Sequence, residues 1–220
     1  MNKTISILTS FFTLSFTALG QEISIPDNYS IVESVIGDLN KDDIDELVVV
    51  YNIGTENDIE GVSRELIIYK AENEKWTVWK KSRQAILASN SGGVWGDPFE
   101  EITIRNGILH ITHYGGSRWR WGYIDKYRFQ NGEFYLIGFA SLYGAPCEYS
   151  ETVDFNLATG KILVKKEFQA CNSEEEFEVS YKKENETLFE TGLQITLEFR
   201  QETNVKIVTP KYGHIVELRF

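Results

Sequence analysis

The stretch EITIRNGILHITHYGGSRWRWGYIDKYRFQNGEFYLIGFA, residues 101–140, decides the fold. Apolar and polar residues alternate through it, as in Ile102, Ile104, Leu109 and Ile111, and that period of two puts every second side chain on one face of a strand. The alternation breaks at Asn106-Gly107, Gly115-Gly116-Ser117 and Asn131-Gly132. Asn-Gly between alternating runs is the strongest short-range hairpin signal, because both residues accept the positive φ of a tight hairpin turn. The segment therefore predicts an antiparallel meander of four strands, 101–105, 108–114, 118–130 and 133–140.

The same style continues outward. Upstream, 45–52, 64–70 and 75–80 read as strands, 84–88 as a weaker one, 28–36 as a short strand or turn, and 89–99 as a loop. Downstream the strands become more polar: 151–155, 161–168, 175–182, 194–199, 204–208 and 213–219. Turns are expected at Ala158-Thr159-Gly160 and Lys183-Glu184-Asn185, and Glu174-Glu175-Glu176 reads as a solvated strand end. The expected fold is mainly β, an antiparallel meander forming a sandwich or a partial-propeller-like domain, with little helix. A soft boundary lies near 141–150, where Gly144, Pro146 and Cys147 cluster.

MNKTISILTSFFTLSFTALG, residues 1–20, has an early Lys, an apolar stretch and small residues before Gln21. These are the parts of a secretory signal peptide, so residues 21–220 are expected to form one β-rich domain, secreted or periplasmic after cleavage near Gly20/Gln21. Its apolar run is short and broken by Ser and Thr, and no later segment approaches membrane-spanning length. The net charge is −11, and loss of Lys3 with the leader takes it to −12. So acidic a chain has no electrostatic attraction for nucleic acid or an anionic membrane as a whole. Cys147 and Cys171 are its two cysteines; in an exported chain a disulfide is the simplest reading, against two free thiols.

GDLNKDDIDELVVV, residues 37–50, crowds acids against a strand. Counted from Asp38, oxygen ligands fall at alternate positions: Asp38, Asn40, Asp42, the main chain of Ile44, and Glu46. Calcium takes six to eight such hard oxygens, whereas zinc prefers His and Cys. An EF-hand would need a Glu at position 12 and a following helix; Val49 and a β-branched strand stand there instead. The pattern resembles the calcium loop of FG-GAP or VCBS-type repeats, Asp-x-Asn-x-Asp-Gly-x-x-Asp before a hydrophobic strand. Asp43 replaces the usual Gly, and Asp tolerates a left-handed turn better than most residues. Glu46 replaces the usual Asp. The loop occurs once, which does not support a multi-bladed propeller.

Residues 92–138, GGVWGDPFEEITIRNGILHITHYGGSRWRWGYIDKYRFQNGEFYLIG, resemble a segment of an uncharacterised family of bacterial exported proteins. A GDPF turn, a GGS turn, an aromatic strand and a YLIG-type strand follow one another there, often downstream of an acidic loop. The resemblance extends over 31–165, with FNLATGK at 155–161, and implies an exported β-rich protein without implying an activity.

On a strand, Trp119, Trp121 and Tyr123 share one face, continued by Tyr127 and Phe129, while Arg118 and Arg120 take the other. Such a stripe fills a core or offers a stacking platform, which makes Trp95, Asp97, Arg118, Trp119, Arg120 and Trp121 candidate ligand contacts. Arg118 and Arg120 are placed to clasp Asp97, Glu100 or Glu101 in Arg–carboxylate forks. His110 and His113, three apart on a strand, face opposite sides and cannot share a metal, and His214 is isolated. No Gly-x-Ser-x-Gly, His-Glu-x-x-His or phosphate-binding glycine loop occurs. The reading is a calcium-stabilised, non-catalytic domain binding a glycan, peptide or envelope protein. Its alternatives are a hydrolase of an envelope or extracellular polymer using Asp97, Glu100 and Glu101, or an inhibitor of an extracellular enzyme.

Overall fold

The computed structural model describes residues 23–54, 61–171, 178–200 and 204–219. The leader at 1–20 and the acidic run at 174–176 lie outside the described residues.

Four strands, β1 (Tyr29–Gly37), β2 (Glu46–Ile53), β3 (Ser63–Glu72) and β4 (Lys75–Ser82), make an antiparallel meander in the order β1-β2-β3-β4. Seven more follow: β5 (Phe99–Arg105), β6 (Ile108–Gly116), β7 (Arg120–Gln130), β8 (Glu133–Ala145), β9 (Tyr149–Asn156), β10 (Lys161–Cys171) and β11 (Glu178–Phe189). They form one larger meander in sequence order. A hairpin of β12 (Asn204–Val208) and β13 (Ile215–Arg219) closes the described chain. No helix occurs among the described residues. The molecule is an antiparallel, sandwich-like β domain, as the alternation predicts.

The sandwich follows from side-chain parity. Val48, Val50, Leu66 and Ile68 on one face of the small sheet meet Leu109, Ile111, Tyr127, Phe139, Phe155 and Ile162 of the large one. Leu47, Val49, Tyr51, Ile67 and Tyr69, on the opposite face, form a second cluster with Ile23, Tyr29 and Trp76. Apolar side chains at consecutive positions of β2 and β3 are thus buried on both faces, and burial of each removes about 1.5–3 kcal/mol of unfavourable exposure. The tyrosine hydroxyls of the second cluster pair with each other, Tyr51 to Tyr69 at 2.9 Å.

Three expectations give way to local chemistry. Residues 84–88 are not a strand, because the Ser82 hydroxyl accepts the N–H groups of Gln84 (3.1 Å) and Ala85 (3.0 Å) and turns the chain. Lys183-Glu184-Asn185 is not a turn but runs straight within β11, whose outer edge position suits polar residues. Residues 194–199 make only one bridge, Thr196 to Tyr135, flanked by Leu136 N–H to Ile195 C=O (2.8 Å) and Leu197 N–H to Phe134 C=O (2.9 Å). That segment occupies the place beside β8 where β9 has ended, and it drops Ile195 and Leu197 into the core. The ladder is continuous from β8 to β9 across 141–150.

The two Gly-Gly pairs of the GGVWGDPF and GGS motifs meet. Gly93 bridges Gly116, with Val94 N–H donating to Gly116 C=O (3.0 Å) and Gly116 N–H to Gly92 C=O (2.8 Å). A β-carbon on Gly115 would lie 2.6 Å from the Trp121 ring and 2.8 Å from Gly92 Cα. Glycine is required there for backbone to approach backbone.

Candidate functional site

The acidic loop lies between β1 and β2, against the β5–β6 turn; a β-carbon on Gly107 would sit 3.3 Å from Asp38 C=O. Leu39 is 1% exposed and belongs to the main core, so the loop is anchored from below. Its polar side chains turn onto its own N–H groups. Asp38 accepts from Lys41 (2.5 Å), Asp42 (3.3 Å) and Asp43 (3.0 Å). Asn40 Oδ1 accepts from Asp42 N–H (2.8 Å), and Asp42 Oδ1 from Ile44 N–H (2.9 Å). Glu46 accepts from Leu39 N–H (2.8 Å), and the Asn40 amide nitrogen donates to both Glu46 and Asp42 at 2.9 Å. Asp43 takes φ +64°, the left-handed conformation its position in the motif requires, and Lys41 takes φ +65°.

The donor set fits calcium in kind, being carboxylate and amide oxygens on a wrapped loop. The Asn40 NH2 held between two carboxylates marks a place where the field favours positive charge. Burial pushes the Glu46 carboxyl above its ordinary range; the Leu39 N–H and Lys70 pull it back, while Asp42 and Asp38 add to the rise. Yet each of these carboxylates is already engaged by N–H groups, and among the described residues no three His, Cys, Asp or Glu side chains form a metal-holding group.

Asp97, in the GDPF turn, is taken by a residue the spacing does not suggest. Both its oxygens accept from Arg64 on β3, Oδ1 at 2.7 Å, and Oδ1 also accepts Phe99 N–H at 2.9 Å. Burial works to raise its pKa, but Arg64 and the Phe99 amide outweigh burial and hold the carboxyl below the usual range. The expected forks from Arg118 and Arg120 do not form. Arg118 pairs with Glu148 at 2.8 Å, and Arg120 lies over the Trp95 ring at 5.5 Å. Glu100 is the extra residue of a bulge in β5, so it and Glu101 both line an open concavity with Thr112 and Tyr114.

The aromatic stripe divides. Tyr127 is fully buried, and Phe129 packs on Trp79 (4.5 Å) and Phe134 (5.2 Å); these fill the core. Among them sits Asp125, buried and paired with Arg200 (2.5 Å), whose guanidinium lies 5.1 Å from the Tyr123 ring centre. Beyond the small sheet the stripe reaches solvent. Trp119 stacks on Tyr143 at 5.3 Å and 15° and meets Tyr149 at 5.2 Å, and Trp121 stacks on Tyr123 at 6.0 Å and 17°. Lys166 lies 3.7 Å above Tyr149, and Lys182 4.8 Å from Phe168. Tyr143 is 41% exposed and Tyr181 65%. The Cys147–Cys171 disulfide, with Cα atoms 5.0 Å apart, ties the β8–β9 turn to the end of β10 at this same end of the sheet. Sequence reasoning finds Trp119 but misses Tyr143, Tyr149, Phe168 and Lys166. Their common signal is alternation on β8 to β10, and only the register shows that they align with Trp119.

Trp95 stands apart, 54% exposed and set edge-on to Tyr114 at 6.0 Å. His110 and His113 do face opposite sides: His110 is partly buried, while His113 is wholly buried, accepts Leu87 N–H at 3.2 Å, and is held neutral with a pKa near 3 by burial and by Arg200 and Arg64. His214 pairs with Glu184 at 2.5 Å.

Comparison with models of known protein families finds no match, and none of the curated proteins matches the chain.

Proposed function

We propose that the chain is an exported, non-catalytic binding domain, stabilised by calcium at the 38–46 loop, which takes its partner on the aromatic end of the large sheet. The observation that carries the reading is the Trp119–Tyr143–Tyr149 group: three rings in contact, half-open to solvent, interleaved with Lys166 and stapled by the disulfide. Rings beyond the core are held in place by neighbours rather than by burial, so they meet a partner at little entropic cost. A glycan ring or an aromatic or cationic peptide side chain suits such a surface. The engagement of Asp97 by Arg64 supports the non-catalytic reading over hydrolysis, since that carboxylate has no free oxygen to act as acid or base. Calcium bound by Asp38, Asn40, Asp42, Ile44 and Glu46 would fix the loop between β1 and β2 and would take no part in chemistry.

The test compares wild type with Tyr143→Ala and Trp119→Ala in capture of ligand from envelope extract. Removing a central ring is expected to weaken capture about tenfold or more, at a melting temperature close to wild type. An identical captured set from all three proteins would defeat the reading.

A further inference from the structure

The open face of the seven-stranded sheet carries a second surface, distinct from the aromatic end. Register places four cross-strand rows on it. One runs Thr103, His110, Lys126, Gly138, Asn156, Lys161, and the next Glu101, Thr112, Ile124, Ala140, Asp154, Leu163. They are flanked by Arg105–Ile108–Arg128–Tyr135 on one side and Tyr114–Gly122–Leu142–Thr152–Lys165 on the other. Their alternates, Ile102, Leu109, Ile111, Phe155 and Ile162, are in the core, so these rows point away from the sandwich.

Three properties of the face matter. Its floor is small, with Gly122, Gly138 and Ala140 in the middle strands, and a shallow concavity of about 410 Å³ lies over it, lined by Thr112, Tyr114, Ile124, Leu142, Thr152 and Lys165. Its charge opposes that of the chain. Arg105, Lys126, Arg128, Lys161 and Lys165 are set against Glu100, Glu101 and Asp154, a net of +2 on a chain of −11. Those five cations form no ion pair among the described residues, although Lys166, Lys182 and Lys183 at the other face and far end do. The shared face is felt by His110, whose pKa burial lowers and whose neighbours Lys126 and Arg105 lower further, against Glu101.

We infer that this face binds an acidic polysaccharide laid across the strands. Unpaired cations on β5, β7 and β10 attract its carboxylates; Lys126 and Lys161 stand three strands apart, about 14 Å. The glycine and alanine floor admits sugar rings closely, Ile124, Leu142 and Leu163 meet their C–H faces, and Thr112, Thr152, Asn156 and Asp154 supply hydrogen bonds to hydroxyls. Single-stranded nucleic acid is the lesser fit, because base-binding grooves present successive stacking rings and the tyrosines of this face, Tyr114 and Tyr135, stand apart in its two flanking rows.

The probe is a set of short oligogalacturonates, with their fully methyl-esterified forms as the uncharged control, titrated into the chain from Gln21 onward. Binding is expected for the free acids and not for the esters, weakening with salt. Lys126→Gln/Lys161→Gln/Lys165→Gln is expected to bind about tenfold or more weakly with an unchanged melting temperature. Thr152→Trp, which fills the floor without touching charge, is expected to weaken binding as well. Tyr143→Ala is expected to bind as wild type, which separates failure of this face from failure of the aromatic end. Absent binding of the free acids, equal binding of acids and esters, equal binding by the triple variant, or tighter binding of oligothymidylate or phosphatidylglycerol vesicles would each overturn the assignment.

Discussion

His113 ties the stability of this molecule to pH. The ring is wholly buried between Phe99 and Tyr123, and with Nε2 accepting Leu87 N–H the neutral ring carries its proton on Nδ1, which finds no partner among the described residues. Its folded pKa, depressed to about 3, lies below the ordinary value near 6.5. The unfolded chain therefore binds a proton that the folded chain refuses, and stability falls as pH drops from about 6.5 toward 3. Between pH 6 and 5, where carboxylates titrate little, the wild type is expected to lose up to about 1.4 kcal/mol per unit through this group. His113→Leu should flatten that slope by nearly one proton, measured by denaturant unfolding at several pH values; an unchanged slope would show that the ring is charged when folded. Asp97 works in the same direction at lower pH, since its depressed carboxyl loses its stabilising charge as acid protonates it. The opposite-face placement of the two histidines is legible from period two alone. The Arg64–Asp97 pair is not, because 33 residues separate the partners and only the packing of β3 against the GDPF turn brings them together.

At the scale of elements, turn chemistry reads well where positive φ demands it. Asn106, Asn131 and Asp43 all sit at φ between 51° and 64°, and each was legible as a turn residue. Composition misleads where an element's environment sets its polarity: β11 carries Lys183-Glu184-Asn185 without turning because it is an edge strand, and 194–199 alternates yet meets the sheet through a single bridge to β8. The acidic loop lies between these cases. Its spacing is visible, but its anchoring by Leu39 and the buried Glu46 is not. Leu39→Ala is expected to cost about 2–5 kcal/mol by opening a void beneath the loop. Calcium at a hundredfold excess over its Kd is expected to add about 2.7 kcal/mol, a rise of roughly 5–10 °C in melting temperature for a chain of this size. Asp38→Asn with Asp42→Asn keeps acceptors for the loop amides and removes two charges, so it should abolish the rise without unfolding the loop. An equal rise in that variant would place any calcium elsewhere.

For the whole molecule, the end of the large sheet that carries Trp119, Tyr143, Tyr149 and Phe168 is built from ring contacts and the disulfide, and the β12–β13 turn joins it there, with His214 6.3 Å from Phe168 and paired with Glu184 on β11. The closed loop between Cys147 and Cys171, 24 residues apart, spans the end of the β8–β9 turn and all of β9 and β10. Constraining the unfolded chain over that length contributes about 3–4 kcal/mol on the entropic account. Cys147→Ser/Cys171→Ser is therefore expected to melt about 6–16 °C lower. Where the loss is felt depends on how the ring-bearing end is held. β9 and β10 are already zipped by a continuous ladder from Lys161↔Asn156 to Phe168↔Tyr149, so the native hydrogen bonds survive removal of the staple and the destabilisation comes mainly from the freed unfolded state. Amide exchange in β9 and β10 should then keep the protection ranking of wild type, with every slow amide faster by the same global factor. Selective loss of protection at 145–150 and 168–171 would instead mean that the disulfide is what holds the ring-bearing end in shape, and binding through Trp119 and Tyr143 would fall with it.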